Sequence, residues 1–448
     1  MNKRTFLKTS SVLVTGSVLS PLMKFSNDEP RTNWAGNFKY TAKQYFQPKT
    51  LAEAQHLVAK TPILRGLGSR HSFNSIADSS EVQISLKELH QVVSLDKAQQ
   101  QVTVEGGVTY GQVCQQLHQN GFALHNLASL PHISVAGACA TATHGSGIKN
   151  GNLATSVAAL EVIDAKGNLV VFSKEKNREE FNGAVVGLGG LGLISKVTLD
   201  LLPTFNMTQA VYQNMPMKAL ESNFDAVVAS GYSVSLFTDW QNQRINQVWI
   251  KSKADGIQSA SSAPELLGAT LAHKHLHPLE DLSPENCTEQ MGKIGPWYER
   301  MPHFKMGFTP SSGKELQSEY FLPIEHAYHA MMALEKLHEK VSPHLFISEI
   351  RTIATDDLWM SPCLGQPCVA FHFTWKQDWP AVKALLPLIE AQLAPFNARP
   401  HWGKLFTMPP QKLQSLIKKL PEFKELLATY DPKGKFRNSF LNHNLYTK

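Results

Sequence analysis

Hydrophobic and polar positions alternate along this chain with two periods. Between Lys49 and Lys60 the apolar residues Leu51, Ala54 and Leu57 recur at helical spacing, which predicts a helix buried along one face. Val82-Gln-Ile-Ser-Leu86 and Gln101-Val-Thr-Val-Glu105 alternate with period two and predict strands, and Gly106-Gly107 supplies the turn after the second. Thr61-Pro-Ile-Leu64 reads as a further short strand and Tyr110–His118 as the next helix. Short strands and helices following one another in this way indicate an α+β domain.

Pro203 marks a candidate boundary. Beyond it, Tyr232–Thr238 and Gln247–Lys251 read as strands, Glu325–His338 as a helix, and the stretch from Pro296 to Pro310 as loop. Phe346-Ile347 and Thr352-Ile353 flank Glu349-Ile-Arg351 and predict one strand through all of them. Residues two apart in a strand share a face, so Glu349 and Arg351 project together, as do His372 and Thr374 on the strand Val369–Thr374. Taken alone, such a pair of charges is also what a solvated strand edge or a local ion pair looks like. A chain of 448 residues exceeds one core and implies about two or three domains.

Composition narrows the function classes. The apolar content of 42% and charged content of 18% are those of a globular protein without a disordered bias. The net charge of +6 is dispersed, part of it on Lys3, Arg4 and Lys8, with no clustered basic face for nucleic acid. Cys114, Cys139, Cys287, Cys363 and Cys368 form neither a zinc pattern nor a disulfide framework. Cys363 and Cys368 could close a small loop, but two free thiols are expected. His273-Lys-His-Leu-His277 lacks a carboxylate or thiol at ligand spacing and reads as a polar loop, so no metal is expected. The apolar run from Val12 to Leu22 is too short to span a bilayer, so no stable membrane insertion is expected. With Lys3-Arg4-Thr-Phe6-Leu7-Lys8 ahead of it, the run resembles a twin-arginine export signal in which lysine replaces the first arginine. Residues 1–27 are therefore expected to direct export to the periplasm. The alternative is a cytoplasmic protein with a hydrophobic first helix.

Three glycine-rich stretches carry the candidate chemistry. In Leu64-Arg-Gly-Leu-Gly-Ser-Arg-His-Ser-Phe73, Gly66 and Gly68 allow a tight turn whose backbone N–H groups form a nest for a diphosphate. Ser69 and Ser72 add hydroxyls, and Arg65 and Arg70 add charge. His71 lies beside whatever the diphosphate carries. Asn126 to Gly147 is rich in Ala, Gly, Ser and Thr, which lets a backbone lie against a cofactor or pack tightly. Gly187-Leu-Gly-Gly-Leu-Gly192 matches the dinucleotide fingerprint, but the β-branched, alternating Leu193–Leu201 that follows is a strand and not the required helix. A nicotinamide-binding unit is therefore not expected, and the glycines are read as close passage of the backbone past an adenosine.

Arg65-Gly-Leu-Gly-Ser-Arg-His-Ser-Phe-Asn74 resembles the flavin-attachment loop of the vanillyl-alcohol-oxidase type of flavoproteins, in the branch of aldonolactone and alditol oxidases. The resemblance runs from about Asn33 to near the C-terminus. It implies FAD carried covalently on His71 through its 8α-methyl. It implies an α+β fold of two domains, a bipartite PCMH-type FAD-binding domain and an α+β cap. The flavin domain would span about 33–203, the cap 204–404, and the chain would return to the flavin domain over 405–448. Further flavin contacts implied are Arg65, Gly66, Leu67, Gly68, Ser69, Arg70, Ser72, Ser129, Ser134, Gly137, Ala138, Cys139, Ala140, Ile194 and His401. Ala128 matches a position beside the flavin that influences oxygen access. The implied substrate contacts are Ser129, Glu349, Arg351, His372, Thr374 and Lys404, with Lys404, Arg351 and Glu349 catalytic.

Oxidation of an alcohol removes the hydroxyl proton and transfers a hydride to the flavin. Arg351 and Lys404 could stabilise the alkoxide, and Lys404 could accept the proton if burial lowers its pKa. Glu349 suits acceptance of hydrogen bonds from neighbouring hydroxyls, which selects a polyol. The resemblance thus implies oxidation of C1 of acyclic polyols such as sorbitol or xylitol, with O₂ as acceptor and H₂O₂ as product, by a monomer. Two alternatives are an aldonolactone-type dehydrogenase using another acceptor and an exported sugar-binding protein. A covalent redox cofactor would serve no purpose in the latter.

Overall fold

The computed structural model describes residues 31–254, 263–308 and 314–447. The leader and Pro310 lie outside them. The chain opens with a three-stranded parallel sheet, β1 (Gln44–Phe46), β2 (Leu64–Gly66) and β3 (Val82–Ile84), in the order β1-β3-β2. Between β1 and β2 runs the helix Leu51–Lys60, capped by the Thr50 hydroxyl accepting from the Glu53 N–H. Its Ala54, Leu57 and Val58 pack with Leu64 and Ile84, the face expected from spacing. β2 starts at Leu64 and not at Thr61, because Pro62 has no N–H for a ladder and the Leu64 N–H donates to the Lys435 carbonyl.

A second, five-stranded antiparallel sheet follows in the order Val92–Asp96, Gln101–Glu105, Leu193–Asp200, Val157–Ile163, Leu169–Ser173. Its Val102, Val104, Val197 and Leu199 share one core with the helix Tyr110–Gln119 and with Phe423, Leu426 and Leu427 of the helix Leu420–Tyr430. The C-terminal stretch thus closes the core that the N-terminal stretch opened. Leu358, Trp359 and Met360 pack there too, so the middle of the chain touches this core before its end does.

Residues 206–400 build a ten-stranded sheet. Its central antiparallel strands are Arg244–Ala254, Ser233–Thr238, Leu345–Ile353, Cys368–Lys376 and Glu315–Pro323, in that order. Ile350, Phe371, Phe373, Tyr320 and Leu322 point to one face and pack against Ala330, Met331, Leu386 and Ile389 of the helices Ala327–Glu335 and Trp379–Leu393. The alternate residues point the other way, toward the loops of the first domain. Between Trp297 and Arg300 the expected loop contains one helical turn, and the helix expected over Glu325–His338 ends at Glu335. All five cysteines are buried free thiols. No helix among the described residues is long and apolar enough to cross a membrane.

Candidate active site

A cleft of about 470 Å³ separates the loops of the first domain from the inward face of the large sheet. Its first wall is mostly backbone. Past β2 the chain turns through Gly68, Ser69 and Arg70, with Arg70 in the left-handed region at φ 65°. Gly68 is held there by space, since a Cβ at this position would lie 2.6 Å from the Ser134 Oγ. The two segments lock reciprocally. The Ser134 N–H donates to the Ser69 Oγ at 3.0 Å, and the Ser69 N–H to the Ser134 Oγ at 3.4 Å. Ser134 opens the six-residue helix Val135–Ala140, whose Gly137, Ala138 and Ala140 face the cleft.

His71 stands at the turn of this wall, stacked on Trp34 with ring centroids 5.2 Å apart and tilted against His132 at 4.8 Å. Both its ring nitrogens are buried and make no hydrogen bond. Burial first, then the nearby His132 and Lys404, push its pKa down to about 3, so the ring is neutral. The loop's position is tied to the far end of the chain, because the Asn74 Nδ2 donates to the Trp402 and Lys404 carbonyls and the Phe73 N–H to the Gly403 carbonyl. A cradle that excludes Cβ atoms, with an unpartnered, uncharged imidazole at its end, fits a flavin.

The second wall is charged, and strand register assembles it. Glu319 pairs with His372 and His372 with Glu349, which sets the three in one row across adjacent strands. One step away, Gln317 pairs with Thr374. Arg351, on the Glu349 strand, donates from Nη2 to the Glu319 Oε1 at 2.6 Å, and its Nε lies 3.6 Å from the Glu349 Oε2. His144 reaches the same Glu319 oxygen at 3.1 Å, and His303 holds the Glu349 Oε1 at 2.7 Å. Gln317 gathers the remainder, its Oε1 accepting from Lys404 and lying 3.2 Å from the His372 Nε2.

Burial would raise the Glu349 carboxyl, but Arg351 and His303 hold it well below the usual carboxylate range, and His144 and Arg351 do the same for Glu319. Arg351 is raised in turn by the two carboxylates and stays a cation. Burial lowers Lys404 to about 8, against the pull of Glu319. Burial also lowers His372 to about 3 and His401 well below its usual value. The wall therefore offers two ionised acceptors, one permanent cation and one amine able to gain or lose a proton near neutral pH.

Most expected site residues meet in this cleft: Ser129, Glu349, Arg351, His372, Thr374 and Lys404 on the substrate side, and the loop Gly66–Ser72 with Ser134, Gly137, Ala138, Ala140 and His401 on the other. Ala128 lines it as well. Three differ. Arg65 reaches the cleft, but its guanidinium binds the carbonyls of Gly189, Phe436, Ile76 and Leu188. It clamps backbone instead of presenting charge to a phosphate. Cys139 turns into the core, its Sγ 3.7 Å from the Tyr110 hydroxyl, because the opposite face of its short helix meets the cleft. Ile194 sits in the five-stranded sheet, partly buried against the first core and away from the cleft lining. The stretch after the Gly187–Gly192 run is the expected strand, Leu193–Asp200, and not the helix that a dinucleotide fingerprint requires.

Glu315, Gln317, Glu319, His144 and His303 were not anticipated. The first three alternate on Glu315–Pro323 in the same period-two pattern that marked Glu349 and Arg351, so a signal for them was present. His303 comes from a loop, with nothing in its neighbourhood to single it out. His277, from the histidine-rich stretch, lines the cleft. Among the described residues no group of three or more His, Cys, Asp or Glu is placed to hold a metal ion.

A family model described as an FAD binding domain matches residues 42–173, and one described as D-arabinono-1,4-lactone oxidase matches residues 197–444. The chain is 44% identical to an alditol oxidase of Streptomyces sp., over 92% of this chain and 97% of that protein. It is 25% identical to L-gulonolactone oxidase of Mus musculus, over 92% and 98%. A crystal structure of cholesterol oxidase from B. sterolicum superposes with a TM-score of 0.77 at 13% identity, covering 98% of this chain and all of that one, a likeness of fold. With a cradle that fits a flavin facing a buried wall of ionised groups, and with both halves of the chain matched, this protein belongs to the FAD-dependent family of aldonolactone and alditol oxidases.

Proposed function

We propose that this protein is an alditol oxidase that oxidises the C1 hydroxyl of acyclic polyols, with FAD attached covalently to His71. One observation carries the substrate assignment: Glu349, His372 and Glu319 form a register-locked row that, with Arg351 and Lys404, faces the His71 loop. The similarity to an alditol oxidase supports the same reading.

When bound in the cradle of Gly66–Ser72 and Ser134–Ala140, FAD would supply the hydride acceptor and the route by which the electrons reach O₂, giving H₂O₂. The protein does the rest. Arg351 remains charged and stabilises the developing alkoxide. Lys404, lowered to about 8, is the group that accepts the hydroxyl proton at Nζ, a role closed to the guanidinium. Glu349 accepts hydrogen bonds from neighbouring hydroxyls, so an alcohol lacking them would leave a buried acceptor unpaired. The neutral, unpartnered ring of His71 is a free nucleophile for attachment of the cofactor.

The leader is proposed to export the folded, flavin-loaded enzyme to the periplasm. Fractionation of the host with intact protein and an Arg4→Gln variant tests this, and a cytoplasmic location with an uncleaved N-terminus for both would sink it. For the activity, sorbitol and xylitol are added to the purified protein in air and peroxide is measured. Acid precipitation then tests the tether. Flavin in the pellet is expected, and release into the supernatant from a fully loaded sample would overturn the covalent assignment.

A further inference from the structure

Behind the substrate wall lies a buried amine that takes no part in the chemistry above. Lys251, on the strand Arg244–Ala254, is 1% exposed and does not line the cleft. Its Nζ donates to the Met301 carbonyl at 2.6 Å and the Pro302 carbonyl at 2.8 Å, and lies 3.2 Å from the His303 Nδ1. Burial lowers this amine to about 7; in its charged form it has three donors and no lone pair, and the two carbonyls and the His303 Nδ1 surround it as acceptors. His303 must therefore accept at Nδ1 and carry its proton on Nε2, and Nε2 is the atom 2.7 Å from the Glu349 Oε1. The carboxylate can only accept, so the whole chain has one consistent direction: Lys251 to His303 to Glu349.

We propose that Lys251 is a positioning residue for Glu349, acting through His303, whose tautomer and orientation it sets. It thereby commits one oxygen of Glu349 to the protein and leaves the other for Arg351 and substrate hydroxyls. The surroundings agree. His303 is wedged edge-on against Phe237 and Trp249, at 5.5 and 5.3 Å between centroids, so the ring is held for hydrogen bonding at both ends only. Lys251 contacts the His303 end of the Glu349–His303 pair and Arg351 the Glu349 end; burial first, then Lys251 and Arg351, disfavour a second proton on His303 against the pull of Glu349. Without Lys251, the imidazole would be free to flip its tautomer or to protonate, and Glu349 would lose a fixed donor.

The inference rests on the assignment of Glu349 to the polyol. Its test is a cycle of Lys251→Met, His303→Phe and the double variant, with steady-state peroxide formation from sorbitol. Flavin content and melting temperature are measured alongside. His303→Phe retains the ring packing on Phe237 and Trp249 and removes both nitrogens. Each single variant is expected to raise KM by about tenfold or more, with kcat changed much less, and the double variant should be no worse than either single. Additive losses, or a KM within threefold of wild type for a flavin-loaded Lys251→Met, overturn the proposal. If Lys251→Met fails to load flavin, His303→Phe decides alone, and an unchanged KM there also overturns it. A wild-type protein that turns over no polyol overturns the substrate assignment and this role together, whereas an active wild type with unaffected variants overturns this role only.

Discussion

On one side of the cleft Gly68, Ser69, Ser134, Gly137, Ala138 and Ala140 present backbone and small side chains. On the other, Glu319, Glu349, Arg351 and Lys404 present buried charge. The first wall works by closeness. Its specificity lies in where a Cβ cannot go, and the charge of Arg65 is turned inward to hold four carbonyls of three separate segments. The second wall works by directed hydrogen bonds whose donors and acceptors are fixed by strand register. A large, flat cofactor suits the first arrangement because dispersion and backbone amides act over its whole surface. A small, hydroxylated substrate suits the second because discrimination between hydroxyls depends on leaving no buried acceptor unpaired.

The comparison predicts that changes on the charged wall affect turnover and spare the flavin, whereas changes on the backbone wall do the reverse. The largest effects are expected from Lys404→Ala and Glu349→Gln. Each should cost on the order of 2–4 kcal/mol, roughly a hundredfold in kcat/KM for a polyol, with the flavin spectrum retained. Activity within about threefold of wild type would remove that residue from the catalytic set.

The pH dependence sharpens the division of labour between Lys404 and Arg351. The amine must be neutral to take the proton, so kcat/KM should fall about tenfold per unit below about pH 8 and level off above it. A profile that stays flat through that range, or keeps this limb in Lys404→Ala, would assign the proton elsewhere. Glu319→Gln should cost about tenfold, since Arg351 and His144 lose their shared charged partner but the substrate-facing groups remain.

On the backbone wall, Gly68→Ala should lower flavin content, because the new methyl meets the Ser134 Oγ. Adding Ser134→Ala should recover part of it by removing that atom. Equal flavin in wild type and Gly68→Ala would show that the close approach does not matter to the cofactor. The smallest effect on binding is expected from His71→Ala, which should keep non-covalent flavin in the nest but release all of it on acid precipitation. Retention of flavin in the pellet would move the tether to another residue.

Local pattern in the sequence determined a good deal of this. Period-two alternation determined which residues of Leu345–Ile353 and Cys368–Lys376 share a face, because strand geometry leaves no choice. The strand after Gly187–Gly192 was legible for the same reason, and so was the turn carrying His71, since only small residues tolerate its approach to Ser134. Tertiary structure alone decided what those faces meet. Nothing local sets Glu319 beside His372 and Glu349, since that depends on the pairing of three strands with unlike connections. The same holds for His303, brought from a loop, and for Lys251, whose buried amine makes sense only once two carbonyls and an imidazole converge on it. Arg65 and Cys139 show the limit from the other side. Side-chain type and motif placed them at the cofactor, but a guanidinium with four carbonyls in reach binds those carbonyls, and a six-residue helix can turn only one face to a cleft. Periodicity is a property of the neighbouring residues, whereas the partner of a buried charge is chosen by segments up to hundreds of residues away.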